Sequence, residues 1–265
     1  MELGDRVGEY TIEEYIDEGA IAEIYRATNS EGDEFALKIL LARGGDVVDR
    51  LFREGKALTE LQHPNLVRVK EVIEHEGAPV LVMDFVDGST LEEWMEDETP
   101  DEDTKLGVFK QIALGIAEVH NQGMVHRDLQ PANILVVEDG EAWKGVVIDF
   151  GLVKDEQHGL TRPGVTMGTP GFMAPEQITS ALGADSRSDI FSLGAILYYL
   201  VCEKEPFGSD VEFEVLNNTL MCKYTSPLFV APMVAMQTVQ AIDGALKRAP
   251  GERWSTVDEL LTALG

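Results

Sequence analysis

The spacing of apolar residues changes once along this chain, near Val86-Asp87-Gly88, and that change limits the fold more than any single motif. Before it, apolar residues alternate or fall in short blocks of strand length; after it, they recur at helical spacing. Residues 10–16 and 23–27 read as strands with a turn across 17–22. Asn29-Ser30-Glu31-Gly32-Asp33 is a hairpin signal leading into a strand at 34–40. Val48, Leu51, Phe52, Leu58 and Leu61 give residues 47–61 a helical spacing, and strands at 67–74 and 79–85 follow. The expectation is one antiparallel sheet with one helix.

Beyond Gly88 the segments are helical: a short one at 91–95, then a long one at 104–120 with Leu106, Phe109, Ile112, Ile116 and Val119 on one face. Residues 189–202 are nearly all apolar, which predicts a buried helix. A last helix at 255–264 starts with Ser255 as cap and Asp258 three residues on. The fold class is therefore α+β and bilobal: a small antiparallel β-rich lobe at 1–84, a hinge at 84–88 and a larger α-helical lobe at 89–265. A cleft between lobes is a usual place for a ligand.

Charge excludes some partners. With 48 acidic and 21 basic residues the chain carries −27, which argues against nucleic acid and anionic lipid. The broad reading is a heavily solvated surface. Two narrower readings stay open: a high-salt cytoplasm, and a preference for basic substrate segments. No stretch of about 18 apolar residues, the length a spanning helix needs, appears, and the first residues lack the pattern of a signal peptide. Cys202 and Cys222 are the only cysteines. Cys202 lies in an apolar helical run, so buried free thiol in a reducing cytoplasm is the expected state.

The chemistry concentrates in two runs. His126-Arg127-Asp128-Leu129-Gln130-Pro131-Ala132-Asn133 sets a carboxylate and an amide five residues apart, and Asp149-Phe150-Gly151 begins sixteen residues past Asn133. Apolar strands at 134–137 and 145–148 separate them. On a strand at Phe35-Ala36-Leu37-Lys38, Lys38 precedes a helix bearing Glu54, with His63-Pro64-Asn65 nine residues after Glu54. Together these runs resemble the catalytic loop, metal-binding turn and phosphate-contacting lysine of protein kinases. From about Tyr10 to Leu264 the chain is most similar to bacterial Ser/Thr kinases of the eukaryotic (Hanks) type.

The resemblance implies a protein-kinase-like fold occupying 1–265 as one domain, and a role scheme long established for that family rather than derived from this chain. Asp128 is then the base, Asn133 and Asp149 are the metal ligands, and Lys38, set by Glu54, contacts the α- and β-phosphates of ATP. Ile16, Gly19, Ile24, Ala36, Met83, Asp84 and Val86 join Lys38 and Glu54 around the nucleotide. Met83 lines the back of the adenine pocket. Mg²⁺ is the implied metal, with Mn²⁺ as a substitute. Gly168-Thr169-Pro170-Gly171-Phe172-Met173-Ala174-Pro175-Glu176 resembles a substrate-docking segment of Ser/Thr type. Asp189 matches the aspartate that holds the catalytic loop, and Glu176 with Arg253 matches a buried ion pair. Arg127 marks the class switched by activation-loop phosphorylation; Thr161 and Thr166 are the candidate acceptors, Thr161 the better by position.

Two departures stand out. The three glycine positions of the phosphate-covering turn read Asp17, Gly19 and Ala22, and Gln130 stands where Ser/Thr kinases carry lysine. Losing one preorganised stabilising group of that kind costs about 10²–10³-fold in rate, or about 3–4 kcal/mol. The first reading is transfer of the γ-phosphoryl group to Ser/Thr hydroxyls of proteins, with autophosphorylation of the activation loop. A pseudokinase that binds nucleotide as a signalling module is the alternative. A small-molecule phosphotransferase is disfavoured by the docking segment and Asp189. Homodimerisation is left open.

Overall fold

The structure is a computed structural model describing residues 1–19, 22–41, 45–140, 142–151, 170–179 and 184–265. The chain divides into two compact units, Met1–Asp87 and Gly88–Gly265.

The first unit is a six-stranded antiparallel sheet in the order β1-β2-β3-β4-β6-β5. Its strands are β1 (Arg6–Val7), β2 (Tyr10–Glu18), β3 (Ala22–Thr28), β4 (Glu34–Leu40), β5 (Val69–His75) and β6 (Ala78–Asp84). Alternation explains β4: Phe35, Leu37 and Ile39 join Tyr10, Ile12, Tyr25 and Val82 in the core. Tyr10 and Phe35 meet edge to face, with centroids 5.1 Å apart. Strands β2 and β3 run further toward their turn than expected, which Gly19 N–H closes by donating to Ala22 O at 2.8 Å. Helix α1 (Gly45–Leu58) buries Leu51, Gly55 and Leu58. A Cβ on Gly55 would sit 2.8 Å from Leu81 and 3.0 Å from Val72, so glycine lets α1 approach the sheet closely.

The second unit contains α2 (Leu91–Asp97), α3 (Glu102–Asn121), α4 (Pro175–Thr179), α5 (Ser186–Cys202), α6 (Glu212–Met221), α7 (Pro227–Val230), α8 (Met236–Ala245) and α9 (Val257–Leu264). A small sheet of β7 (Ser89–Thr90), β8 (Ile134–Asp139) and β9 (Ala142–Val147) lies in the order β7-β8-β9. The unit is built around α5, buried on every side through Ile190, Phe191, Leu193, Ile196, Leu197 and Leu200. No helix among the described residues is long and apolar enough to cross a membrane.

One cap differs from the sequence expectation. Thr256, not Ser255, caps α9 and accepts from Glu259 N–H. Burial of Val257, Leu260 and Leu264 sets the helix register, and that register puts Thr256 at the cap. Ser255 N–H instead donates to Glu259 Oε2 at 2.6 Å.

Candidate active site

The site of the second unit is assembled by the β8–β9 hairpin. Ile134 pairs with Val147, so the residues just before β8 lie beside those just after β9. Ile148 N–H accordingly donates to Asn133 O at 3.0 Å, and Gly151 N–H donates to His126 O at 3.2 Å. The His126 and Phe150 rings stack at a tilt, 4.9 Å between centroids. These contacts bind the 126–133 loop to the Asp149 segment.

Within the loop, Leu129 and Pro131 are buried while Asp128, Gln130 and Asn133 are half-exposed. The buried pair anchors the loop and leaves the polar three facing outward. Asn133 Nδ2 donates to Asp128 O at 2.8 Å, which fixes the orientation of the amide. A recess beside Asp128 and Gln130 is lined by Phe172, Met173, Gln177 and Ser192.

Helix α5 holds this loop through one carboxylate. Asp189 is 1% exposed; its Oδ2 accepts from His126 N–H and its Oδ1 from Arg127 N–H, both at 2.8 Å. His120 Nε2 lies 2.8 Å from the same Oδ2. From α4, Gln177 Nε2 donates to Arg127 O at 2.9 Å while its Oε1 accepts from Ala174 N–H at 2.9 Å. These bonds hold Arg127 at φ 66°, a left-handed conformation that costs a residue with a Cβ about 1–2 kcal/mol. Arg127 Nε is buried and without a hydrogen-bond partner among the described residues.

Arg253 uses all its guanidinium donors. Nη1 and Nη2 fork onto Glu176 Oε1 and Oε2 at 2.6 and 2.7 Å. The remaining donors reach Lys247 O, Arg187 O and Arg248 O at 2.7, 2.9 and 3.1 Å. Glu205 also reaches the segment that carries Glu176, since a Cβ on Gly171 would lie 2.6 Å from its Oε2. Burial, then the Glu92 carboxylate, raises the Glu205 carboxyl above the usual range.

In the first unit, Lys38 is 6% exposed at mid-β4, between Ile24 of β3 and Leu81 of β6. Glu54 is half-buried on α1 with Arg50 Nε 3.7 Å from its Oε1. Ala36 is the cross-strand neighbour of Met83, and Met83 is 6% exposed. Asp84 N–H donates to Arg68 O at 3.0 Å. Ile24, Ala36 and Val86 are half-buried, whereas Ile16 is exposed. Asp17 is exposed, with Oδ1 accepting from Glu18 N–H. Thr161, Thr166 and Thr169 lie outside the described residues.

Sequence reasoning missed His120 and Gln177. His120 reaches Asp189 from 69 residues away. Its only signal was a polar ring ending the apolar face of a long helix. Gln177 follows directly on Glu176, and an amide there is the one hint of a loop-holding role.

A profile described as the protein kinase domain matches residues 10–263. The chain belongs to the protein kinase domain family. The serine/threonine-protein kinase PkaA of Streptomyces coelicolor is 34% identical over 263 residues, covering 92% of this chain and 47% of that protein. Pkn1 of Myxococcus xanthus, also a serine/threonine-protein kinase, is 30% identical, covering 99% of this chain and 38% of its own. The chain thus spans less than half the length of these relatives. Among solved structures, Rad53 1-466 in complex with AMP-PNP superposes with a TM-score of 0.80 at 28% identity, covering 97% of this chain and 66% of that one. The kinase domain of Mycobacterium tuberculosis PknI, at 23% identity and a TM-score of 0.77, covers 100% of this chain and 98% of its own, and shares the fold.

Proposed function

We propose that this chain is a single ATP- and Mg²⁺-dependent kinase domain that phosphorylates Ser/Thr hydroxyls of proteins. The observation that carries the reading is the clamp on the 126–133 loop: Asp189 and Gln177 fix the backbone at Arg127, next to Asp128. Positioning is most of what phosphoryl transfer asks of a protein.

Asp128 orients the acceptor hydroxyl and takes its proton. Asn133 Oδ1 and the Asp149 carboxylate would hold the metal, hard oxygen donors suited to Mg²⁺. No cluster of three or more His, Cys, Asp or Glu able to hold a metal exists among the described residues. When bound, Mg·ATP supplies the transferable phosphoryl group and neutralises its charge. In the first unit Lys38 is assigned to the α- and β-phosphates with Glu54 as its partner, and Met83, the Asp84 carbonyl and Val86 to adenine. Gln130 donates a hydrogen bond toward the phosphoryl group and brings no charge, so turnover is slow. Exposure of Asp17 supports nucleotide binding, because its carboxylate is solvated.

Arg127, with a buried Nε lacking a partner among the described residues, supports control by a phosphate on Thr161 or Thr166. The net charge of −27 supports basic segments as substrates. Free Cys202 and Cys222 support a reducing, cytoplasmic setting.

The test is incorporation of labelled phosphate with Mg·ATP by the parent, Asp128→Ala and Gln130→Lys. Incorporation by the parent, abolished in Asp128→Ala and raised about 10²-fold or more in Gln130→Lys, is expected. Silence in the parent with signal in Gln130→Lys establishes the pseudokinase instead.

A further inference from the structure

Gln177 is buried on α4, and both polar atoms of its amide are bonded to backbone. Oε1 accepts from Ala174 N–H and Nε2 donates to Arg127 O, each at 2.9 Å. A peptide N–H only donates and a carbonyl only accepts, so one orientation of the amide satisfies both partners. One end of this bridge lies in the 170–176 segment, the other in the loop that carries Asp128. The segment end is itself held by α5: Ser192 Oγ donates to Phe172 O at 2.8 Å, and Ser188 Oγ to Glu176 Oε1 at 3.1 Å. Phe172, Met173 and Gln177 line one recess together with Asp128.

The loop end matters because Arg127 O belongs to the peptide unit that joins Arg127 to Asp128. The other polar group of that unit, Asp128 N–H, donates to His126 Nδ1 at 3.3 Å. A peptide unit is planar and rigid, so Gln177 and His126 together fix its tilt. That tilt sets the direction in which the Asp128 side chain leaves the backbone. Asp189 bonds Arg127 N–H, which belongs to the preceding unit, and leaves this one to Gln177 and His126. Arg127 stands at φ 66°, a conformation disfavoured for a residue with a Cβ, so a released plane has a reason to turn.

We propose that Gln177 is a positioning residue that makes the aim of Asp128 depend on the seating of the 170–176 segment. The proposal rests on the reading of the chain as a protein kinase and deepens it. With the segment seated, Gln177 holds the Arg127–Asp128 plane and the carboxylate faces the acceptor hydroxyl. A shift of the segment moves Gln177 through Ala174 and frees the plane. Misplacing a reacting group by about 1 Å costs up to about 10²-fold in rate, so the link acts on turnover and leaves nucleotide affinity alone.

Arg127-Asp128 is the only Arg-Asp step in the sequence. Protein labelled at the carbonyl carbon of arginine and the nitrogen of aspartate therefore gives one carbonyl–amide cross peak by NMR, and hydrogen exchange of Asp128 N–H is read from it. Gln177→Glu keeps the acceptor for Ala174 N–H and loses the donor to Arg127 O; Gln177→Met loses both without adding charge. Exchange at Asp128 should rise about tenfold in each, relative to the buried amides of Leu193 and Ile196 in α5, which report global stability. With a Ser peptide and Mg·ATP, kcat should fall about tenfold or more while KM for ATP stays within twofold. Ser192→Ala, which releases Phe172 O, should lower kcat about threefold in the parent and no further in Gln177→Glu. The proposal is overturned if Asp128 exchange, relative to α5, stays within twofold of parent in both variants. It is equally overturned if KM for ATP rises as far as kcat falls, or if Ser192→Ala has the same effect in both backgrounds. Absence of phosphotransfer by the parent sinks the kinase reading alone, and the exchange comparison still decides whether Gln177 holds the plane.

Discussion

Arg253→Met should be among the most destabilising changes in the second unit. The Arg253 side chain is 0% exposed and Glu176 15%, so the fork between them is nearly dry. Removing the cation leaves a buried carboxylate with only Ser188 Oγ, at 3.1 Å, and strips a donor from three backbone carbonyls. Breaking a buried pair from one side costs about 3–5 kcal/mol. With a urea slope of about 2 kcal/mol per M, the midpoint falls by about 1.5–2.5 M. The three tryptophans, Trp94, Trp143 and Trp254, all lie in the second unit, so intrinsic fluorescence reports its unfolding. The double variant Glu176→Met/Arg253→Met removes the stranded charge but not the three stripped carbonyls. It should recover at least about 1 kcal/mol relative to Arg253→Met. The reasoning fails if Arg253→Met costs under about 1 kcal/mol, or if the double variant costs the sum of the singles.

Three other expectations are simpler. Asp189→Asn turns an acceptor for two loop N–H groups into a partial donor; a loss of about 1–3 kcal/mol with a fall in kcat is expected, and parent-like stability and kcat together would refute it. The Arg187 guanidinium beside Asp185 holds that carboxyl below its ordinary value. Its contribution is therefore present above the unfolded value near ~4 and lost as pH falls through the lower folded one. Urea midpoints should favour parent over Asp185→Asn at pH 7 and converge in acid; a gap unchanged in acid would count against this. Burial pushes the Cys202 and Cys222 thiols up to about 11, so a disulfide reagent at pH 8 should label native protein slowly and urea-unfolded protein fast. Equal rates would contradict that.

Elements with a strong period were legible to the residue or nearly so. The strand at 34–40 and the buried helix ending at Cys202 follow from their apolar patterns alone. Strand β1 has two residues, too few to alternate, and went unseen. The cap of α9 was misplaced by one because Ser255 and Thr256 both have an acid within reach, and only packing of the helix chooses between them. Asp189 and the Glu176–Arg253 pair were readable because their neighbours in sequence form motifs, and each makes the contact expected of it. His120 and Gln177 were not, because each acts through a backbone or carboxylate atom brought to it by the fold. A long-range hydrogen bond leaves no periodic trace.

The left-handed backbone at Arg127 sets stability against function at one position. Glycine would relieve the conformational cost there, and any procedure that ranks substitutions by stability would favour it. Such a protein would keep its fold, and would melt no lower, while losing the guanidinium next to Asp128 in sequence. Thermal shift measurements therefore rank residue 127 variants without regard to the phosphate-pairing role proposed for Arg127, and screens for a hardier domain should hold this position fixed.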